Sequence, residues 1–377
     1  MPEDSPLRIN LVLGQQIPFP PVRGGGVNNL VWMLAKQWAA MGHTVRAYSP
    51  LASGLPAHET DAFGIEHFRV EGKPTHANVW VDNLQRFPYS LKIWPLLKDA
   101  DVTSFHTTFS FVLRLKPKLG VCTHTLHRTP KWILQFHRWQ DRIYAGSHAV
   151  VDQAKAIAPQ LAPKLKAVHN CIELPANMPP TALHEPLTFL YVGRFVPDKG
   201  LESLIRGFLA VAPENSAMRL RIIGPQTSNE GADEEFFALM KEVIAADPHG
   251  GQVSLEPSIF DRAKLFAQIE RAAVFCLPSL TGETFSMAAL EAMASAKALL
   301  VSDFGPMGEM VDHGSNGYIA KAGDVAAWTE AVRYFMQNQQ LIPMMGQRSF
   351  EKARDCFSVE KIASEYIDDF RLLMQRP

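Results

Sequence analysis

The sequence predicts an α/β protein built from two doubly wound domains. Short apolar runs of β-type residues alternate with amphipathic helical stretches in both halves of the chain, a pattern typical of parallel sheets. The chain has 377 residues, more than one hydrophobic core usually serves, and a proline-rich segment, PANMPPTALHEP, lies near its midpoint. We therefore expect an N-terminal domain over 1–175, a linker over 176–186 and a second domain over 187–360. A last helix over 361–377 is a candidate to cross back to the first domain.

The composition is that of an ordinary globular protein. Hydrophobic residues make up 47% of the chain and charged residues 20%, and the net charge of −1 argues against a broad electrostatic footprint for nucleic acid. The first apolar run breaks at Asn10, so we expect no signal peptide, and no apolar run is long enough to predict a transmembrane helix. The four cysteines form no Cys-x-x-Cys pair, which predicts reduced thiols in a cytoplasmic protein and not a disulfide framework or a zinc site.

The first half begins with a strand–loop–helix–strand pattern. LRINLVL is a β-type run, PFPPVRGGG is a loop, and the next stretch spaces its apolar residues as on one helix face, at Leu30, Leu34, Trp38 and Met41. TVRAYSP then predicts a second strand. Sheets of this type bind ligands at the carboxyl ends of their strands, where the glycine-rich loop would lie.

Gly24 and Gly25 belong to a triple glycine, which allows a backbone to approach a ligand closely. The spacing is not Gly-x-Gly-x-x-Gly, and the second strand ends in Tyr48-Ser49-Pro50, without an acidic residue to hold a ribose. A dinucleotide site is therefore poorly supported. A phosphate contact and a plain flexible turn both remain open for the glycines.

Histidines lie at or just past the ends of two further β-type runs. His106 follows ADVTSF, and His124 and His127 lie in GVCTHTLHRTP. Such imidazoles can act as acids, bases or hydrogen-bond donors in a cleft, or they can be structural residues with satisfied hydrogen bonds. The following segment, RTPKWILQFHRW, predicts either a membrane-facing or acceptor-facing patch around Trp132 and Trp139, or a partly buried helix.

The second half restarts the alternation of strand and helix. LTFLYVG predicts a strand, RFVPDKG a turn and LESLIRGFLAVA a helix. Arg194 and Lys199 lie in that turn, and two cations at the carboxyl end of a strand suit a diphosphate. A solvated basic turn is the alternative.

The segment 277–318 contains two glutamates, Glu283 and Glu291. A helix beginning between them would present backbone N–H groups at its start, where phosphate binds favourably; these groups belong to Phe285, Ser286 and Met287. Each carboxylate can accept hydrogen bonds from two hydroxyls of a sugar or ribose. One short segment could thus hold both parts of a nucleotide sugar. A surface helix with two solvated glutamates is the alternative.

Several motifs in order resemble one enzyme family. VGRFVPDKG, then ETFSMAALE, then DFGPMGEMVDHGSNGY, together with the GGG loop and GHTV of the first half, resemble the retaining glycosyltransferases of family 4, including bacterial lipopolysaccharide and envelope polysaccharide enzymes. The resemblance covers nearly the whole chain. It implies a GT-B fold, in which two Rossmann-like domains face each other across a cleft. It also implies retaining transfer of a sugar from a nucleotide diphosphate sugar to a hydroxyl of a glycan or lipid-linked glycan.

The resemblance also implies roles for residues of the second half. Glu283 matches a glutamate that contacts hydroxyls of the donor sugar, and Glu291 matches one that binds the ribose. Arg194 and Lys199 match the pair that binds the diphosphate. Further phosphate contacts are implied for the backbone around the helix start, at Phe285, Ser286 and Met287.

In the first half, Gly24 and Gly25 match the loop that closes over the phosphates, and His127 matches the histidine at the point of sugar transfer. His106 and Asn170 are expected on the acceptor side. Two departures from the family pattern stand out. Ser286 replaces a frequent glycine but keeps the backbone donor, and the acidic stretch PQTSNEGADEE after Gly224 is longer than expected, so that it could border the nucleotide base.

The expected enzyme is a metal-independent hexosyltransferase without a cofactor, because protein cations would neutralise the leaving diphosphate. A UDP-sugar is favoured over GDP-mannose as donor, and peripheral membrane contact is an open expectation. A sucrose-synthase-like or other nucleotide-sugar enzyme, and a non-catalytic nucleotide-sugar binding module, are the alternatives. The sequence indicates no oligomeric state.

Overall fold

The computed structural model describes residues 5–16, 18–21, 25–73, 87–106, 116–181, 183 and 186–375. The chain divides into two compact units, one formed by Met1–Cys171 with Val359–Pro377 and the other by Ile172–Ser358. The second unit therefore begins at Ile172 and not at 187, and the segment 176–186, expected to be a linker, lies within it. Backbone pairing explains this boundary, because the N–H of Ile172 donates to the carbonyl of Phe357 at 2.9 Å and joins the start of the unit to its end.

The first unit contains an eight-stranded sheet. Its strands are β1 (Arg8–Leu13), β2 (Thr44–Pro50), β3 (His58–Thr60), β4 (Glu66–Val70), β5 (Val102–His106), β6 (Val121–Leu126), β7 (Arg142–Ala145) and β8 (Leu165–Ala167). In space they follow the order β3-β4-β2-β1-β5-β6-β7-β8, and every pair is parallel except β3 with β4. β5 is buried along its whole length, as expected for a strand covered on both faces.

Two helices of this unit are α1 (Gly26–Ala40) and α2 (His148–Ile157). α1 buries Leu30, Leu34 and Trp38, whereas Met41 lies beyond its end and is 38% exposed. α2 is capped by Ser147, whose hydroxyl accepts from the N–H of Val150 at 3.2 Å.

The order of strands in the first sheet reverses between β1 and β5. From β1 the chain moves outward through β2 and β4, and it returns to the other side of β1 with β5. Doubly wound sheets bind ligands outside the carboxyl ends of their strands at such a switch point. The segment after Leu13 and the end of β5 at His106 lie at this position.

The second unit contains a six-stranded, fully parallel sheet. Its strands are β9 (Thr188–Val192), β10 (Arg219–Ile223), β11 (Val253–Glu256), β12 (Val274–Leu277), β13 (Ala298–Ser302) and β14 (Gly317–Ala320). They follow the order β11-β10-β9-β12-β13-β14, so the switch point lies between β9 and β12.

The helices of the second unit cover this sheet. They are α3 (Leu201–Val211), α4 (Glu234–Ala245), α5 (Arg262–Arg271), α6 (Met287–Ala294), α7 (Met307–Met310), α8 (Val325–Gln337) and α9 (Ile342–Phe357). α3 and α8 pack closely at Gly207, where a Cβ would stand 2.8 Å from the Cβ of Trp328. The buried rings of Phe189, Phe208 and Phe335 meet edge-to-face and join the sheet to these two helices.

The last helix, α10 (Val359–Met374), belongs to the first unit. The indole N–H of Trp38 donates to the carbonyl of Ala363 at 3.1 Å. Buried Asp369 accepts from the guanidinium of Arg142 at 2.9 Å and from the hydroxyl of Tyr144 at 2.7 Å. These three hydrogen bonds fix α10 to the first sheet and to α1. No helix among the described residues is long and apolar enough to cross a bilayer, and the four cysteines are free thiols.

Candidate functional site

Two loops meet at the switch point of the second sheet. One is the turn 193–200 after β9, and the other is the segment 278–286 after β12. The N–H of Leu280 donates to the carbonyl of Asp198 at 2.8 Å. Gly200 adopts φ +64°, and a Cβ there would stand 2.0 Å from the carbonyl oxygen of Pro278. Glycine is therefore required for this close approach, which brings the cations of the first loop to the carboxylate of the second.

Lys199 and Glu283 are in direct contact at this junction. The ammonium group of Lys199 donates to Oε1 of Glu283, and both side chains are largely buried. The hydroxyl of Ser279 donates to the same oxygen at 3.1 Å. The predicted diphosphate cation and the predicted sugar-binding carboxylate thus form one compensated pair, because a charge at this depth needs a partner.

Arg194 lies on the same turn as Lys199. Its side chain is exposed, and its Cδ stands 3.8 Å from the position that a Cβ on Gly231 would take. The segment 225–233 packs against the turn here, because the N–H of Asp233 donates to the carbonyl of Phe195 at 2.8 Å. The acidic stretch expected beside the nucleotide base therefore lies next to Arg194.

The start of α6 lies between the two predicted glutamates. Ser286 is its N-cap, and the hydroxyl accepts from the N–H of Ala289 at 3.3 Å. The first backbone hydrogen bond of the helix runs from the N–H of Leu290 to the carbonyl of Ser286, so the N–H of Met287 precedes it, at the positive end of the helix dipole. The ring of Phe285 is buried against Phe357, with ring centroids 5.2 Å apart, so this residue can offer a ligand only its backbone.

Glu291 has a partner that the sequence did not indicate. Its carboxylate lies 3.4 Å from the guanidinium of Arg262, the first residue of α5. Burial raises the pKa of the Glu291 carboxyl, and the charge of Arg262 opposes that rise. No local pattern predicts this partner, because the fold brings the start of α5 against α6.

The first unit contains a cavity of about 470 Å³. It lies between the segment after β1, the start of α1, the end of β6 and the 3-10 helix Trp132–Trp139. Gly25 and His127 both line it, so the structure brings together two predicted residues from distant parts of the sequence. Gly24 lies outside the described residues. A Cβ on Gly25 would make only ordinary contact with Asn28, at 3.7 Å, so sterics do not require glycine there.

His106 stands directly behind His127. Nδ1 of His106 and Nε2 of His127 are 2.8 Å apart, and Nε2 of His106 is 3.1 Å from the hydroxyl of Ser104. Because His106 is only 2% exposed, it is placed to orient the ring of His127 and not, as expected, to contact an acceptor. Asn170 is half-buried in the segment that follows β8.

Burial lowers the pKa values of the imidazoles in this region. Burial, with a smaller contribution from the charge of Arg128, lowers the pKa of His127 to about 4. Burial also lowers the pKa of His106 well below its ordinary value, with a further contribution from His127. At neutral pH, His127 can therefore donate or accept a hydrogen bond, but it is not poised as a proton-transfer group.

A second histidine pair, His124 and His137, lines the same cavity. The two rings stack with centroids 3.8 Å apart, and Nδ1 of each is buried without a hydrogen-bond partner among the described residues. Burial lowers the pKa of His137 to about 4. His124 was one of the candidate histidines. His137 was hidden in the aromatic stretch, and no local signal could have revealed the stacking.

One Asp-x-Asp sequence, whose two closely spaced carboxylates could serve as metal ligands, occurs in the chain at Asp99–Asp101. It precedes β5, at the amino end of the sheet and opposite the cavity. Asp101 accepts from the backbone N–H of Arg8 at 2.8 Å and from its guanidinium at 2.7 Å, and Asp99 lies 3.5 Å from Lys118. Asp101 thus joins β1 to the start of β5, and Asp99 forms an exposed ion pair.

Two family models match the chain. Glycosyltransferase Family 4 matches residues 24–174, and Glycosyl transferases group 1 matches residues 176–352. The phosphatidyl-myo-inositol mannosyltransferase of Mycobacterium leprae is 25% identical over 362 residues, covering 89% of this chain and 89% of that protein. The exopolysaccharide phosphotransferase of Streptomyces coelicolor is 28% identical over 219 residues, covering 57% of this chain and only 21% of that protein.

Solved structures share the fold. Sucrose-phosphate synthase from Thermosynechococcus elongatus matches with a TM-score of 0.79 at 18% identity, over 97% of this chain and 99% of that one. The Anabaena protein HepE in complex with UDP-glucose matches with a TM-score of 0.71 at 15% identity, over 97% and 99%. The chain has the GT-B fold and belongs to the glycosyltransferases, with a family 4 domain followed by a group 1 domain.

Proposed function

We propose that this chain transfers a hexose from a nucleotide diphosphate sugar to a hydroxyl of a glycan or lipid-linked glycan, with retention at the anomeric carbon. The observation that carries the proposal is the contact of Lys199 with Glu283 beside the start of α6. A cation, a carboxylate and a helix N-terminus at one switch point match the anionic and hydroxyl-rich parts of such a donor.

The donor would bind along the second unit. Lys199, Arg194 and the backbone at the start of α6 would hold the diphosphate, and Glu283 and Glu291 would accept sugar and ribose hydroxyls. When the glycosidic bond breaks, negative charge grows on the leaving nucleoside diphosphate, and these preorganised groups stabilise it. We propose that they replace a metal ion in this role.

A UDP-sugar is the proposed donor. The binding of UDP-glucose by the HepE structure supports it, although that likeness is one of fold. The relative from M. leprae is a mannosyltransferase, which supports a mannosyl donor instead. A binding screen with different nucleotide sugars distinguishes a UDP-sugar donor from a mannosyl donor.

The acceptor would use the cavity of the first unit, where neutral imidazoles suit hydroxyl groups better than anions. His127 would hydrogen-bond to the sugar at the point of transfer, with His106 as its positioning residue. The name of the M. leprae relative, a phosphatidyl-myo-inositol mannosyltransferase, supports a lipid-linked acceptor. We place the reaction in the cytoplasm.

A thermal-shift screen tests the donor site. The protein is heated with UDP, GDP, ADP, dTDP and their common sugar conjugates, with and without EDTA. We expect the uridine series to raise Tm by mass action, equally in both conditions. Loss of the shift in EDTA would contradict metal independence, and a shift with NAD alone would contradict the transferase assignment. Retention is then tested by NMR of the anomeric configuration of the first-formed product.

A further inference from the structure

The 3-10 helix Trp132–Trp139 turns three large aromatic side chains to solvent. Trp132 is 55%, Phe136 47% and Trp139 43% exposed, and the rings of Trp132 and Phe136 meet edge-to-face with centroids 5.7 Å apart. Other tryptophans among the described residues are buried or half-buried. We name Lys131, Trp132, Phe136, Arg138 and Trp139 the aromatic–basic face.

This face carries only positive charge. Residues 127–140 include Arg128, Lys131 and Arg138 and contain no aspartate or glutamate. The guanidinium of Arg138 lies over the ring of Trp139, 4.6 Å from its centroid. The next acidic residue, Asp141, turns its carboxylate toward the first sheet, where it accepts from the N–H of Cys122 at 2.8 Å.

The segment is firmly fixed to the unit beneath it. Leu134 is buried in a cluster with residues of β7 and α2. The ammonium group of Lys164 donates to the carbonyls of Arg138 and Gln140, both at 2.8 Å. Of the two readings that the sequence left open, a partly buried helix accounts for Leu134 but not for the outward aromatic rings.

We propose that the aromatic–basic face binds the surface of an anionic lipid bilayer. Tryptophan rings favour the headgroup region, and neighbouring cations are attracted to anionic headgroups. A protein partner is the alternative: protein interfaces are also enriched in aromatic residues and arginine but are depleted of lysine, whereas an anionic bilayer attracts both Lys131 and Arg138. The inference goes beyond the proposed function, since such binding does not require the acceptor to be a lipid.

Docking in this way would place the cavity beside the bilayer. The same short helix lines the cavity with its other face, through Ile133, Leu134 and His137. An acceptor carried by a lipid could then enter the cavity without leaving the membrane surface.

Co-sedimentation of the whole protein with vesicles tests the proposal. We expect binding to phosphatidylcholine vesicles that contain phosphatidylglycerol, and much weaker binding to phosphatidylcholine alone. Replacing Trp132→Ser and Trp139→Ser together should weaken binding about tenfold. Replacing Lys131→Gln and Arg138→Gln together should also cost about tenfold or more, and should abolish the preference for anionic vesicles.

Matched controls lie in the second unit. Phe260→Ser removes an aromatic ring that is 73% exposed, and the pair Lys264→Gln and Arg348→Gln removes two exposed cations. Both control variants should bind vesicles as the unmodified protein does. Unchanged Tm and unchanged stabilisation by nucleotide would show that the aromatic–basic variants are folded and would keep this result separate from the proposed function.

Two outcomes would overturn the proposal. One is the absence of binding to anionic vesicles, or equal binding by all variants. The other is a self-association, measured by size-exclusion chromatography, that the Trp132 and Trp139 substitutions abolish while vesicle binding stays the same. That result would assign the face to a second copy of the chain.

Discussion

The two units share a doubly wound topology but place opposite chemistry at their switch points. In the second unit, loops after β9 and β12 hold an ionised pair, Lys199 and Glu283. In the first unit, the carboxyl ends of β5 and β6 hold imidazoles whose pKa values burial lowers, among them His106 and His127. Topology therefore indicates where a ligand can bind, and we propose that the buried side chains match its chemistry, with the donor diphosphate in the second unit and acceptor hydroxyls in the first.

The two sites differ because the charges of their buried side chains are compensated in different ways. A buried cation persists when a carboxylate and a hydroxyl contact it, as Glu283 and Ser279 do here. Clustered histidines without a carboxylate partner lose their charge instead, because desolvation and mutual repulsion favour the neutral form. In the proposed function, the donor diphosphate binds the first arrangement and acceptor hydroxyls bind the second.

The largest effect is expected at the pair of Lys199 and Glu283 in the second unit. Lys199→Ala should lower kcat/KM by about 10²–10³-fold, because it removes a preorganised cation from the leaving diphosphate and leaves Glu283 without its partner. Steady-state kinetics with the selected donor measures this. Lys264→Ala, at an exposed position of α5, is the control and should leave the rate unchanged. If Lys199→Ala keeps a rate near that of the unmodified protein, the assignment of Lys199 to the donor site is wrong.

The second prediction concerns the stability of the first unit alone. Asp369→Asn breaks the buried pair with Arg142 and should destabilise the first unit by about 3 kcal/mol. Denaturant unfolding measures the loss, and the stabilisation by nucleotide should persist because it arises in the second unit. The exposed pair of Arg354 and Asp355 supplies the control, since Asp355→Asn should leave the stability nearly unchanged. Equal losses in both variants would contradict the anchoring role of Asp369.

A smaller effect is expected at His127, in the cavity of the first unit. His127→Ala should lower kcat about tenfold, the value of a lost hydrogen bond, and leave donor affinity nearly unchanged. Kinetics and nucleotide titration on the same sample separate the two quantities, with His58→Ala, an exposed histidine of β3, as control. A large loss of donor affinity instead would move His127 from the point of sugar transfer to the diphosphate.

The smallest effect concerns pH. Unfolded histidines take up protons near their ordinary pKa of about 6.5, whereas His127 and His137 in the folded chain do so only at about 4. The unfolded state therefore binds more protons between these values, and stability should fall as pH decreases through that window. Tm measured across this range tests the sign. His137→Phe should flatten the dependence, and a Tm that rises on acidification would contradict neutral histidines.

The sequence predicted the local architecture well because that architecture is encoded locally. The alternation of strand and helix, the apolar face of α1 and the start of α6 at Ser286 all follow from neighbouring residues. The GT-B fold and the glycosyltransferase assignment, predicted from ordered motifs, are confirmed.

Contacts between distant residues could not be predicted in the same way. Strand order brings His106 against His127, and the placement of α5 brings Arg262 against Glu291. The start of the second unit at Ile172 likewise depends on pairing with a residue far along the chain. No local pattern encodes which strands become neighbours, so these partners were visible only in the fold.

The most direct test of the account is a calorimetric titration of two ligands into two proteins. The ligands are the nucleoside diphosphate selected by the screen and its parent nucleoside, and the proteins are the unmodified chain and Lys199→Ala. We predict that the substitution weakens the diphosphate by about 10- to 100-fold and leaves the nucleoside unchanged. An equal loss for both ligands, or no loss for either, would contradict the assignment of a diphosphate site to Lys199 and Glu283.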